Sequence, residues 1–182
     1  ILSGYLTTDD GYQENFDTKR MDALLDICYE TSGKVIVWSR FRYDIMKIHQ
    51  VLTENFGKES AATYYGDTSD DERSRIIDTF QEPSSKLRFF IGNPATAGRG
   101  LTLTEASTVV YYANDFNLDT RIQSEDRCHR IGQKKSVTYI DLISEGTIDE
   151  KIVSSLVNKI NLSAKVLGEE AKEWLQIKPK KS

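Results

Sequence analysis

The sequence predicts an α/β domain built on a mostly parallel sheet with helices on both faces. Three observations predict it. First, KVIVW at 34–38 is a short apolar run rich in β-branched residues, LRFFI at 87–91 reads as another buried strand, and TVVYY at 108–112 as a further strand. Such runs suit strands buried on both faces. Second, helical periodicities lie between them, as in Phe41, Ile45, Ile48 and Leu52. Third, strands and helices of this length alternate, which calls for right-handed crossovers within one sheet.

Residues 1–16 are polar, with Tyr5, Tyr12 and Phe16 scattered among Thr, Asp and Gly, and read as an irregular lead-in. Asp17 or Thr18 is placed to cap a helix whose apolar face is Met21, Leu24, Leu25 and Cys28, with Gly33 at its end. KVIVW follows, then the second helix, which Gly57 breaks. AATYY at 61–65 is a weaker strand candidate. Ser69 and Glu72 stand three apart ahead of Ile76, Ile77 and Phe80, a capping-box pattern. Pro83 and two serines make a loop before LRFFI. A Gly/Thr-rich loop fills 93–107, and after TVVYY the segment Asn114–Asn117 leads into another helix. SVTYIDLI at 136–143 is the last strand. From Thr147 a helix carries Ile148, Ile152, Leu156 and Ile160 on one stripe, widened by Val153 and Val157. Beyond Gly168 a short helical piece with Trp174 leads to the basic tail KPKKS. The expected organisation is a lead-in at 1–16, the sheet domain at 17–145 and a helical extension with its tail at 146–182.

Hydrophobic residues make up 38% and charged residues 29%, which suits a globular domain. No apolar run is long enough to span a membrane, and ILSGYLTTDD does not read as a signal peptide. The absent initiator Met suggests a fragment of a longer chain. Cys28 and Cys128 show no metal-ligand spacing, and the two histidines, His49 and His129, belong to no cluster. Free thiols in a reducing cytoplasm and no metal site are therefore expected. A formal charge of -4 excludes an indiscriminately basic nucleic-acid binder but not a local basic track.

Ligands on parallel sheets gather beyond the carboxyl ends of the strands, so the loops SRF, GDTS, NPATAGRG and ANDFN are the candidates. Beyond them, QSEDRCHRIGQ at 123–133 is the most informative stretch. Read as a helix, it sets Gln123, Arg127 and Arg130 on one face at i, i+4 and i+7, and Gly132 marks its end. Two guanidiniums one turn apart suit an anion with several oxygens. The plainer alternative is a solvated face with Arg paired to Glu125 or Asp126. The loop at 93–104 can present N–H groups to phosphate or be simple turn chemistry. Arg40 can be an ordinary surface cation, and Gly66 and Thr68 can belong to no more than a capped helix.

Taken whole, QSEDRCHRIGQ resembles motif VI of superfamily-two helicases and translocases in the form used by the Swi/Snf-type branch. NPATAGRGLT resembles motif V, KVIVWSRF resembles motif IV, and YYGDTSDDER resembles the family's x-G-x-T/S segment. The resemblance covers roughly residues 20–168 and implies a three-layer RecA-like domain, the second lobe of such a motor. It implies that Arg127 and Arg130 are arginine fingers reaching ATP on a different domain. By the same resemblance Gly100, Thr102 and Gln123 lie near the nucleotide, and Ser39, Arg40, Gly66, Thr68, Thr96 and Gly98 line a DNA track. Arg99 and Thr102 depart from the common pattern, where Gly and Asn or Asp stand, so the assignment of Thr102 rests on its hydroxyl alone. The helix at 146–168 resembles the one that leans back toward the first lobe. The wording of the loops is most similar to bacterial and phage-encoded members.

No G-x-x-x-x-G-K-S/T and no D-E-x-H occurs in the chain. ATP and Mg²⁺ are therefore expected to be held mainly by a preceding N-terminal RecA-like lobe, and this chain alone is expected to be inactive. Duplex DNA and that lobe are the expected partners. A non-catalytic nucleic-acid-binding module and the motor lobe of a restriction enzyme are the alternatives.

Overall fold

The computed structural model describes residues 5–7, 13–15, 19–66, 68–96, 101–128 and 136–167. A parallel five-stranded sheet is its frame, in the order β4-β5-β3-β6-β7. The central strand β3 (Lys34–Trp38) is KVIVW, buried along its whole length. It pairs in parallel with β5 (Phe89–Gly92) and β6 (Ala106–Tyr111). β4 (Ala61–Tyr64) and β7 (Thr138–Asp141) are the edges.

Alternate residues of β3 enter different cores. Val35 and Val37 face one side with Leu24 and Cys28 of α1 (Arg20–Glu30) and Ile45, Ile48 and Leu52 of α2 (Arg42–Phe56). Ile36 and Trp38 face the other side with Ile76 and Phe80 of α3 (Asp70–Gln81). Period-two alternation thus feeds two apolar layers, as expected of a strand covered on both faces. At the end of β5, a Cβ on Gly92 would come within 2.8 Å of the Tyr64 carbonyl oxygen, so the close approach of β4 requires glycine there.

Two cations, buried Lys34 and half-buried Arg88, close helix ends that carry no basic residue of their own. Lys34 Nζ donates to the carbonyls of Phe80 (2.6 Å) and Glu82 (2.5 Å) at the end of α3. Arg88 donates to the carbonyls of Cys28 (2.6 Å) and Thr31 at the end of α1. Each satisfies orphan carbonyls and meets the negative end of the helix dipole. α5 (Ile148–Leu167) begins beyond Thr147, whose hydroxyl accepts from the Asp149 N–H at 3.2 Å.

Several expectations change. The lead-in contains an antiparallel pair, β1 (Tyr5–Thr7) with β2 (Gln13–Asn15). Lys19, with no side-chain cap bond, stands at the N-cap of α1, and that helix ends at Glu30 ahead of Gly33. Asp17 and Thr18 lie outside the described residues, as do Trp174 and the tail. Ile148, expected on the apolar stripe of α5, is 44% exposed, whereas Ile152, Leu156 and Ile160 are buried. No helix among the described residues is long and apolar enough to cross a membrane.

Candidate functional site

The carboxyl ends of four strands are stitched into one rim. The Ser39 N–H donates to the Gly92 carbonyl, Tyr112 N–H to Trp38, and Asn93 N–H to Tyr64. The Asn93 side chain adds a bond from Nδ2 to the Arg40 carbonyl at 2.9 Å. Ser39 itself is fully buried and its hydroxyl donates to Asp44 at 3.0 Å, so it braces α2 from beneath. Arg40, next to it, is exposed on the rim.

The turn after β4 holds Gly66 and Thr68. Gly66 is exposed with open space about it. Thr68 is buried, and its Oγ1 accepts from the Tyr65 N–H at 3.2 Å. Arg73 donates to the carbonyls of Tyr65 (3.3 Å) and Gly66 (3.2 Å) and so fixes the turn from behind. The capping box appears in its forward half: Ser69 Oγ accepts from the Glu72 N–H at 3.4 Å. Asp70, Asp71 and Glu72 fill the first turn of α3. Those carboxylates already answer the helix dipole and would repel a phosphate, so accessibility here rests with Gly66.

Thr96, half-buried, closes a turn through its N–H to the Asn93 carbonyl at 3.1 Å. Gly98, Arg99 and Gly100 lie outside the described residues. The chain resumes with Leu101 and Leu103 buried and Thr102 half-buried between them. Gln81 of α3 pins this return, donating to Thr104 Oγ1 (3.1 Å) and accepting from the Glu105 N–H (3.2 Å). The Leu103 N–H donates to the Arg127 carbonyl at 2.9 Å, so Thr102 and Arg127 come together.

The helix of the QSEDRCHRIGQ stretch starts directly after Asn114–Asn117, as expected, but stops sooner than its periodicity predicts. α4 (Leu118–Asp126) is capped by Asn117, whose side chain accepts from the Thr120 N–H at 3.2 Å. Arg127 follows in a helical backbone conformation as the C-cap. Gln123 is exposed, whereas Arg127 is 6% exposed. His129, Arg130, Gly132 and Gln133 lie outside the described residues, so the spacing of the two arginines does too.

Sequence reasoning missed Arg121. It is 7% exposed and lies 3.5 Å from the centre of the Tyr111 ring. Its guanidinium reaches Asp141 (2.5 Å), Glu125 (2.5 Å) and Asn114 (3.2 Å). Tyr111 Oη meets Ser124 Oγ at 2.7 Å below it. This cluster bolts α4 to the ends of β6 and β7. Burial holds the Glu125 carboxyl above its ordinary range against the pull of Arg121. The available signal was the i, i+4 pairing of Arg121 with Glu125.

Among the described residues, no three His, Cys, Asp or Glu side chains gather as a metal would require. Both cysteines are free and buried, and burial pushes each thiol up to about 12. At pH 8 only about one thiol in 10⁴ would be ionised, and the thiolate is the nucleophile. Cys28 and Cys128 are therefore expected to resist iodoacetamide in the native protein and to react fully in denaturant, as read by mass spectrometry. Rapid native labelling of Cys128 would show that the end of α4 opens.

Residues 19–132 match the family described as helicase conserved C-terminal domain. The probable ATP-dependent DNA helicase CHR23 of Arabidopsis thaliana is 38% identical over 149 residues, 81% of this chain and 14% of that protein. The ISWI chromatin-remodeling complex ATPase ISW1 of Saccharomyces cerevisiae is 30% identical over 149 residues, 81% of this chain and 13% of that protein. The transcription regulatory protein SNF2 of the same yeast is 29% identical over 164 residues, 88% of this chain and 9% of that protein. Among solved structures, the C-terminal part of the Fun30 ATPase domain superposes with a TM-score of 0.69 at 28% identity, covering 77% of this chain and 45% of that one. The chain thus spans a small share of its curated relatives. Those named here are eukaryotic and lend no support to the bacterial or phage origin that the loop wording suggested.

Proposed function

The chain belongs to the helicase conserved C-terminal domain family, and from that premise we propose that it is the second motor lobe of a Swi/Snf-type, ATP-dependent DNA translocase. Leu103 and Arg127 carry the reading. Their backbone bond ties the return of the 93–104 loop to the end of α4, the two segments that resemble motifs V and VI. A displacement of either is transmitted to the other through packed, hydrogen-bonded chain.

ATP and Mg²⁺, bound by an upstream lobe, would supply the phosphoryl group to be cleaved. This chain would contribute Arg127 and Arg130, whose guanidiniums stabilise charge developing on the γ-phosphate. Gly100, Thr102 and Gln123 would line the same side. Arg40, Gly66, Thr96 and Gly98 would follow the DNA backbone, with Ser39 and Thr68 setting the loops from within. Since the net charge is -4, the attraction to DNA must be local to that rim. Alternate closing and opening of the two lobes would then shift them along the duplex. The buried free thiols suit a reducing compartment, cytoplasmic or nuclear.

ATP turnover of this chain, with and without duplex DNA, tests the proposal when compared with the same assay after adding a separately expressed upstream lobe. Silence of the chain alone and DNA-stimulated turnover on complementation are expected. Turnover by the chain alone would overturn the division of labour. Silence of two lobes that do associate would favour a non-catalytic binding module.

A further inference from the structure

On the premise of the motor reading above, we propose that Arg121 is a positioning residue for ATP turnover: its fork on Asp141 fixes the angle at which α4 delivers Arg127. α4 is seated differently from α2 and α3. Those helices bury Ile45, Ile48 and Leu52, and Ile76 and Phe80. The residues that α4 buries are Arg121 and Ser124, and its apolar Leu118 and Ile122 are only half-buried. Apolar contacts have no preferred direction, so a helix held by them alone can turn or slide at small cost. Hydrogen bonds and forked ion pairs do have one. The seat of α4 is therefore directional.

The grip comes from two strands. Arg121 Nη1 and Nη2 donate to the two carboxylate oxygens of Asp141, on β7, at 2.5 and 3.2 Å. Its Nε donates to Glu125, one turn along α4, at 2.5 Å. The guanidinium lies over the ring of Tyr111, the last residue of β6, and the hydroxyl of that ring meets Ser124. Positions 121, 124 and 125 are thus fixed on one helix face. The hold continues to the helix end: Tyr139 Oη donates to the Glu125 carbonyl at 3.4 Å, and the Leu103 N–H to that of Arg127.

Apolar residues of similar volume often serve stability as well as a buried ion pair does. Stability alone therefore gives no reason for a guanidinium among carboxylates here. A required orientation does. A misplacement of about 1 Å in a group that acts on the reaction can cost roughly 10²-fold in rate, and Arg127 stands at the end of the helix that Arg121 orients.

The test uses the full-length protein with duplex DNA present. Arg121→Lys keeps the charge and loses the fork. Asp141→Asn breaks the fork from the strand side and leaves Arg121 its Glu125 partner. Each is expected to lower kcat by roughly 10- to 100-fold, with KM for ATP and affinity for DNA unchanged. Affinity for ADP–aluminium fluoride, a mimic of the phosphoryl group in transfer, should fall by a similar factor while affinity for ADP holds. Thermal melts of both variants are read beside the kinetics. Wild-type kcat in the two variants, a loss that only tracks the melted fraction, or equal weakening of ADP and of the mimic would overturn the positioning role and leave the motor reading intact. Absence of ATP turnover by the wild type would overturn both.

Discussion

Arg130→Ala in the full-length protein is expected to lower ATP turnover by about 10³-fold or more, in the range of other arginine fingers. The loss should fall mainly on kcat, with KM for ATP changing far less. A finger acts on charge that appears only as the phosphoryl bond breaks, so it contributes little to the ground-state complex. Arg130→Lys should restore only a small part, because a single ammonium cannot reproduce the fork of a guanidinium. DNA binding should persist, since the role proposed for the finger is on the phosphoryl group of ATP. Normal ATPase in the alanine variant would sink the assignment.

The companion substitution is less clean. Arg127 is 6% exposed, and its carbonyl holds the Leu103 N–H. Removing its side chain opens packing as well as subtracting a charge, so a loss of turnover in Arg127→Ala would mix two causes. Its thermal melt must be read beside its kinetics. An unchanged melting temperature with a kcat loss matching that of Arg130→Ala would assign both arginines to one step.

The frame of the fold was legible because its signals are local. KVIVW is a lysine followed by four apolar residues in a row, and β3 is five buried residues. Ser69 with Glu72, and Gly57 at its positive φ, are likewise punctuation read within one turn of chain. Residues whose partners lie far away in sequence were illegible. Lys34 caps a helix that ends almost fifty residues later, and Arg88 caps one that ends almost sixty residues earlier. Arg121 was passed over because its partner Asp141 lies twenty residues on, brought beside it by β7. The end of α4 at Asp126 was missed for a related reason: the periodicity ran on, but the Arg127 carbonyl is taken by the distant Leu103 N–H, and the Cys128 N–H turns back to Glu125. Among the expected site residues, Arg40 and Gly66 are exposed, whereas Ser39 turns inward to Asp44, a contact that no motif announces.

Arg20→Met is expected to destabilise the domain by about 3–5 kcal/mol, the usual cost of leaving a buried charge without its partner. Arg20 and Asp149 form an ion pair whose side chains are 3% and 7% exposed. The same guanidinium donates to the Tyr112 carbonyl (2.8 Å) and to Ser144 Oγ (2.7 Å). It therefore joins the start of α1, the end of β6 and the start of α5, three places distant in sequence. Methionine fills the volume of the stem but leaves the Asp149 carboxylate with the Ser144 N–H, at 3.1 Å, among its few donors. Replacing both partners, as Arg20→Met with Asp149→Leu, should recover much of the loss, because no orphan charge then remains. The Arg20 Nε already lacks a hydrogen-bond partner, so the wild-type pair carries a penalty of its own that the double variant escapes. Urea unfolding of the four proteins measures the cycle. A single-variant loss below about 1 kcal/mol would place the pair with ordinary surface ion pairs. If instead the cost is large but hydrogen exchange accelerates only along α5, the pair is a tether for that helix. Its strength would then govern how firmly the helix is presented to whatever packs on its outer face, where Leu162 is 64% exposed.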